Sequence, residues 1–252
     1  MQNISVSYIQ SEQFWEDKQA NFKHYELLLS NQKIECDLLL FPEMFNTSFS
    51  MNTSFAEGMD GKSVSWLKAI AKKHNTCVGA TLMIKEGEHT YNRFVVVNDT
   101  EVLAHYDKRH LFTHAGEDTY FSAENKKIFV EIKGWKILLQ ICYDLRFPIP
   151  SRNEYAAPYD LAIYLANWPA KRSYAWSALL QARAIENQSY LIGVNRIGVD
   201  GKGNAYDGQS AIYDPWGNSI HNSAEKDEIT LFELEINDLR KIRKGFNTLK
   251  DI

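Results

Sequence analysis

Apolar and polar residues alternate over residues 4–9, the period of a half-buried strand. Over residues 12–29 the apolar positions Phe14, Ala20, Phe22, Tyr25 and Leu28 recur at roughly helical spacing among charged residues and predict an amphipathic helix. Cys36-Asp37-Leu38-Leu39-Leu40-Phe41 reads as a second strand, apolar enough to be buried on both faces, and Pro42 ends it. A second helix is expected over Lys62–His74, with Asp60 and Ser63 as candidate caps. Three strand-like runs follow at 77–84, 91–98 and 101–106, joined by short turns at Glu86-Gly87-Glu88 and Asn98-Asp99-Thr100, and predict a meander. Residues 107–126 read as loop, and 127–132 with 136–141 as a hairpin around Lys133-Gly134. Beyond Cys142 the pattern gives a short helix at 148–157, a strand at 161–165, a longer helix at 174–187 and a strand at 190–196. The tail reads as strands at 210–213 and 229–234, a turn at Asp214-Pro215-Trp216-Gly217 and a helix at 237–242.

Strands and helices thus alternate in each half with antiparallel hairpins between, which predicts an α/β fold in layers, helices outside and sheets within. No internal repeat, low-complexity tract or Pro/Gly/Ser linker marks a boundary, so residues 1–252 are read as one domain. A chain of 252 residues with 44% hydrophobic and 24% charged residues can bury a sizeable core. The net charge of −4, a pI near 6.0 and the lack of a basic stripe argue against nucleic acid or an anionic membrane as partner. A small molecule or a protein is expected instead. The longest apolar runs fall well short of the ~20 residues that span a bilayer. Cys36, Cys77 and Cys142 are odd in number and lack CxxC spacing, which points to a reducing compartment and away from structural zinc. The start, MQNISVSYIQ, enters a strand-like alternation directly, so no signal peptide is read and a cytoplasmic protein is expected.

Candidate chemistry sits where three strand-like runs end in polar residues: Phe41-Pro42-Glu43-Met44-Phe45, Tyr106-Asp107-Lys108-Arg109-His110 and Cys142-Tyr143-Asp144-Leu145-Arg146. Strand ends are where open α/β sheets present reactive groups. A helix starting just after Cys142 would favour its thiolate. The plain alternative is a small apolar residue buried at a strand end. Alone, Glu43 reads as a loop charge and Lys108 as a solvated one. If the three ends share one side of the sheet, a nucleophile, a base and an electrostatic stabiliser converge. His110 and His114 have i,i+4 spacing, but in a loop-like segment with no third ligand, so no metal is expected.

Taken together, LLLFPEMF, HYDKRHLF and LLQICYDLRFP resemble the three signature motifs of the nitrilase superfamily of carbon–nitrogen hydrolases, in chain order. YLANWP, LLQARAIENQ, GVNRIGVDGKG and YDGQSAIYDPWG extend the resemblance over nearly the whole chain, most closely to the ω-amidase branch. The resemblance implies a single-domain four-layer α-β-β-α sandwich and hydrolysis of the ω-amide of a small dicarboxylic acid monoamide such as 2-oxoglutaramate. It makes Cys142 the nucleophile, Glu43 the general base and Lys108 the cation that stabilises the tetrahedral intermediate. A second active-site glutamate is implied in the following loop, with Glu117 the better match and Glu124 the alternative. A homo-oligomer is implied as well, and no cofactor is required.

Physically, a thiol of pKa ~8.5 needs a base and a nearby cation to attack an amide carbon at neutral pH. The backbone N–H of Tyr143, just after the nucleophile, is suited to the developing oxyanion. A carboxylated substrate calls for an arginine, for which Arg172 is the first candidate, with Trp168, Tyr143 and Phe121 as walls and Asn167 at the same strand end. Arg146 is the rival, although its place in a shared motif suggests a structural pairing with Asp144 or Glu186. Arg183 and Glu186 read as a surface pair on the 174–187 helix. Trp66, Trp176 and Trp216 read as core or interface. Rival functions are an N-carbamoyl amidase or a nitrilase using the same three side chains, a non-catalytic binding protein, and a redox-sensing thiol.

Overall fold

Asp17 starts the first helix: its side chain accepts the backbone N–H of Ala20 at 2.9 Å, and α1 runs Lys18–Ser30. The apolar periodicity overshoots that cap, so residues 12–17 are loop in the computed structural model, which describes residues 2–251. Helix α2 occupies Lys62–His74 as expected, but its N-cap is Gly61, and the Ser63 backbone N–H and hydroxyl donate to Glu57 instead of a local cap forming.

The strands in the first half are β1 (Ile4–Gln10), β2 (Leu38–Leu40), β3 (Cys77–Glu86), β4 (His89–Val97) and β5 (Val102–Asp107). After them come β6 (Phe129–Ile132), β7 (Trp135–Ile141), β8 (Leu161–Leu165), β9 (Tyr190–Val194), and the small hairpin β10 (Ile197–Val199) and β11 (Ala205–Asp207). The tail adds β12 (Ala211–Tyr213), β13 (Ser219–Asn222), β14 (Glu228–Ile229) and β15 (Phe232–Leu234). One sheet has the order β14-β1-β2-β3-β4-β5, with β15 also on β1; the other runs β13-β12-β9-β8-β7-β6. Both have a parallel centre, β1-β2-β3 and β7-β8-β9. The remaining helices are the one-turn α3 (Glu117–Tyr120) and α4 (Pro148–Ser151), then α5 (Ser173–Asn187) and α6 (Ile236–Gly245).

Period-two alternation sorts the strand residues between two cores. Leu38 and Leu40 join Val6, Tyr8 and Ile137 between the sheets, whereas Leu39 joins Phe22, Tyr25 and Leu67 beneath α1 and α2. Helix α5 covers the outer face of the second sheet through Trp176, Leu180 and Ala184. The result is the four-layer α-β-β-α sandwich. Gly193 in β9 sets the approach of α5, because a Cβ there would lie 2.5 Å from Leu180 Cδ1 and 2.8 Å from Trp176 Cζ2. Gly193→Ala is therefore expected to cost roughly 1–3 kcal/mol through overpacking, read from urea unfolding; an unchanged midpoint would contradict this contact.

Other expectations change as well: the helix at 148–157 stops at Ser151, the strand at 229–234 is broken into β14 and β15, and the segment 107–126, read as loop, contains α3; the β10–β11 hairpin had no alternation to announce it. That hairpin is closed by Asp200, whose Oδ1 accepts the backbone N–H groups of Lys202 and Asn204 at 2.9 Å each. Among the described residues no helix is long and apolar enough to cross a membrane.

Candidate active site

The chain segments leaving β2, β5, β7 and β8 bring Glu43, Lys108, Cys142 and Asn167 together between the two sheets. Lys108 continues the β4–β5 pairing: its backbone N–H donates to Asn92 O at 3.0 Å, one step beyond the Arg93–Asp107 pair. Arg93 grips Asp107 through two hydrogen bonds of 2.7 and 2.8 Å, which fixes the strand end that carries the lysine. Lys108 Nζ donates to Glu43 Oε1 at 2.8 Å and to both oxygens of Glu117 at 3.0 and 2.9 Å. All three side chains are completely buried. Gly116, at φ +75°, turns the chain so that Glu117 at the start of α3 points inward, where Phe112 N–H also donates to its Oε2 at 2.6 Å.

Glu43 Oε2 accepts the backbone N–H of Asn167 at 2.8 Å, and the Asn167 carbonyl is 3.9 Å from Cys142 Sγ. Cys142 has φ +42°, a conformation that L residues seldom adopt, and it opens the five-residue 3-10 turn Cys142–Arg146. Asp144 clamps this turn, accepting from the N–H groups of Ile141 and His110 and from the Tyr106 hydroxyl at 2.9–3.1 Å. Arg183, 4% exposed, braces it from α5 by donating to Leu145 O at 2.7 Å. Arg183 thus reaches inward from its pair with Glu186 and is not a surface group.

Electrostatics oppose the thiolate that a helix starting after Cys142 would favour, and accord with a thiol that needs a base. Burial pushes the Cys142 thiol well above its usual range and Glu43 raises it further, with Lys108 acting the other way. A single short turn with two carboxylates beside it does not offset those effects, which favour the thiol over the thiolate. Burial raises the Glu117 carboxyl as well, opposed by Lys108 and reinforced by Glu43. Burial alone would discharge Lys108, but Glu117 and Glu43 outweigh it and hold the ammonium charged.

Above Cys142 opens a cavity of about 350 Å³ whose walls include Tyr143, Asn167, Trp168, Arg172, Arg146 and Tyr206. Arg172 lies over the Phe112 ring at 5.2 Å and Arg146 over the Trp168 ring at 4.9 Å. Neither guanidinium has a carboxylate partner among the described residues. The expected pairing of Arg146 is thus overturned: Asp144 is taken up by the turn it clamps, and Glu186 pairs with Arg183 and Arg152. Phe121 is also misplaced by the sequence reading. It is 5% exposed, packs with Met44, Met51 and Met83, and is not among the residues that line the cavity. Glu124 forms an ion pair with Lys126 at 2.8 Å and takes no part in the cluster, leaving Glu117 as the second glutamate there. Histidine His110 hydrogen-bonds Asp144 and stacks on Phe147, and His114 lines the cavity.

The sequence reading missed Asn92, which is fully buried and donates from Nδ2 to Glu43 Oε1 at 2.8 Å and to Glu117 Oε1 at 3.0 Å. Its signal was available: a polar side chain in the β4 run, opposite the residue that follows β5. Gln13, donating to Glu43 O at 3.1 Å, had none, because its segment reads as helix.

Comparison with known proteins accords with this arrangement. The carbon-nitrogen hydrolase family model matches residues 5–244. Omega-amidase YafV of Yersinia enterocolitica is 38% identical over 253 residues, covering 100% of this chain and 97% of that protein. The 2-oxoglutaramate amidase of Bacillus subtilis is 29% identical, covering 98% of this chain and 97% of its own. The crystal structure of XC1258 from Xanthomonas campestris, a CN-hydrolase superfamily protein with an arsenic adduct in its active site, superposes with a TM-score of 0.95 at 34% identity, covering 100% of this chain and 98% of that one. A buried Glu-Lys-Glu cluster beside a cysteine, on this sandwich and with these relatives, means that the chain belongs to the carbon-nitrogen hydrolase family.

Proposed function

We propose that this enzyme hydrolyses the ω-amide of a small dicarboxylic acid monoamide such as 2-oxoglutaramate, giving the acid and ammonia through a thioester on Cys142. The observation that carries the reading is the pairing of that buried cluster with a cavity walled by two arginines that lack anionic partners among the described residues. Full-length relatives named omega-amidase and 2-oxoglutaramate amidase support the substrate class.

Burial and the neighbouring carboxylates favour the thiol, so Glu43 takes its proton as Sγ attacks the amide carbon. Protonation neutralises Glu43, weakens its hold on Lys108, and leaves that ammonium freer to face the oxyanion forming beside it. The Tyr143 backbone N–H, in the first turn after the nucleophile, is the second donor. Glu43 then returns the proton to the amide nitrogen, the C–N bond breaks and ammonia departs. Water attacks the thioester, Glu43 accepts its proton, the C–S bond breaks, and the proton restores the thiol. Glu117 keeps Lys108 in place throughout, and Asn167 and Trp168 shape the wall beside the reacting carbon. No step draws on a cofactor.

Arg172 is assigned to the far carboxylate of the substrate, with Arg146 across the same cavity. Ammonia release from 2-oxoglutaramate, a simple nitrile and an N-carbamoyl amine separates this reading from its rivals, and faster turnover of either rival substrate would overturn it. In the same assay Arg172→Met is expected to raise KM for the carboxylated amide by roughly 10- to 100-fold, with little change for a neutral amide. An unchanged KM would remove Arg172 from this role.

A further inference from the structure

Three buried carboxamides surround Glu43, and all of them are used in one direction only. Gln13 Nε2 donates to the Glu43 backbone oxygen at 3.1 Å, and Asn167 Nδ2 donates to the same oxygen. Asn92 Nδ2 spends one hydrogen on Glu43 Oε1 at 2.8 Å and the other on Glu117 Oε1 at 3.0 Å. In each case the amide oxygen, Gln13 Oε1, Asn92 Oδ1 or Asn167 Oδ1, is buried with no hydrogen-bond partner among the described residues. Buried acceptors without donors are uncommon and costly, and here three of them accompany one glutamate. What the fold gains is a glutamate that meets donors from every side: Lys108 and Asn92 on Oε1, the Asn167 backbone N–H on Oε2, and two amides on its carbonyl.

We propose that Asn92 is a positioning residue that bridges the two carboxylates and holds the Glu43 carboxylate as a base, while the Gln13 and Asn167 side chains fix the Glu43 backbone carbonyl and the Asn167 backbone N–H meets the other carboxylate oxygen. The inference rests on Glu43 being the base of the proposed reaction. The charged and titratable groups facing Glu43 are Lys108 from the end of β5, Glu117 from α3 and Cys142 from the end of β7. Of these only Lys108 donates a hydrogen bond to the Glu43 carboxylate, and among the described residues Asn92 is the neutral side chain that donates to both buried carboxylates.

The test is the pH dependence of kcat/KM for an ω-amide acid in the full chain, where the acid limb follows protonation of the base in free enzyme. Asn92→Leu removes a donor to the ionised form, so the proton is held to higher pH, and the acid limb is expected to move up by about one pH unit. Gln13→Leu touches only the backbone oxygen and is expected to lower kcat with the limb unmoved. A folded Asn92→Leu enzyme whose limb coincides with wild type would overturn the proposal, since a structural role lowers the rate without moving the profile. Should Asn92→Leu fail to fold, Asn92→Asp keeps the shape and replaces the donor by a third carboxylate. Its limb must then move in the same direction, and a coincident limb would overturn the proposal equally. Cys142→Ala run in parallel keeps the two readings apart: ammonia release persisting there removes the thioester mechanism itself, whereas loss of release with coincident limbs removes only the role of Asn92.

Discussion

Lys108→Met is expected to lose stability and activity together. The ammonium is the only cation hydrogen-bonded to Glu43 and Glu117 among the described residues, and all three side chains have no exposed surface. Leaving two buried carboxylates without it is expected to cost roughly 3–5 kcal/mol, measured by urea unfolding, and to lower kcat by roughly a thousandfold. Glu117→Gln added to Lys108→Met removes one of the stranded charges, so part of the stability should return while activity stays low. That split distinguishes a lysine that acts on the reacting atoms from one that merely neutralises its neighbours. Recovery of both quantities in the double variant would contradict the oxyanion role.

Cys142→Ala is expected to lower kcat/KM for an ω-amide acid by roughly four orders of magnitude or more, with stability changed by no more than about 1 kcal/mol. The thiol is 9% exposed, and its recorded hydrogen-bond contact is the long one to Asn167 O at 3.9 Å, so little packing is lost with the sulfur. Alanine can hold the same backbone as cysteine at φ +42°, and the cavity walls stay in place. Ligand binding, followed as a thermal shift with substrate, should therefore survive. Cys36→Ala is the matching control, because Cys36 lies against Thr76 away from the cluster and should leave turnover unchanged.

How far the site could be read in advance depends on what each residue answers to. Glu43, Lys108 and Cys142 follow buried strands whose apolar runs are plain, and motif resemblance ordered them; their meeting point still needed the packing of one sheet on the other, which sets residues following β2 and β5 against those following β7 and β8. The β3–β4–β5 meander and the hairpin at Lys133-Gly134 were legible because their turns are local, the latter with both residues at positive φ. Spacing favoured Glu117 and left Glu124 as the alternative, since the turn at Gly116 decides which of them faces Lys108. Arg146 and Phe121 were misjudged for the same reason: a guanidinium over Trp168 and a ring behind Met83 are set by contacts distant in sequence. The need of the thiol for a base was legible from its ordinary pKa, but the two carboxylates that oppose the helix-end effect are placed beside it only by folding. Asn92 was overlooked because its one signal, a polar side chain within the β4 run, gives no chemistry until folding sets the two carboxylates it bridges beside it.

Rapid chemical quench of the full-length enzyme with an ω-amide acid, followed by intact mass and peptide mapping, tests the mechanism most directly. An acyl adduct on the peptide containing Cys142, formed in step with the first equivalent of ammonia and absent from Cys142→Ala, is the predicted result. Ammonia released at the wild-type rate by Cys142→Ala, or an acyl group mapped to any other residue, would contradict it.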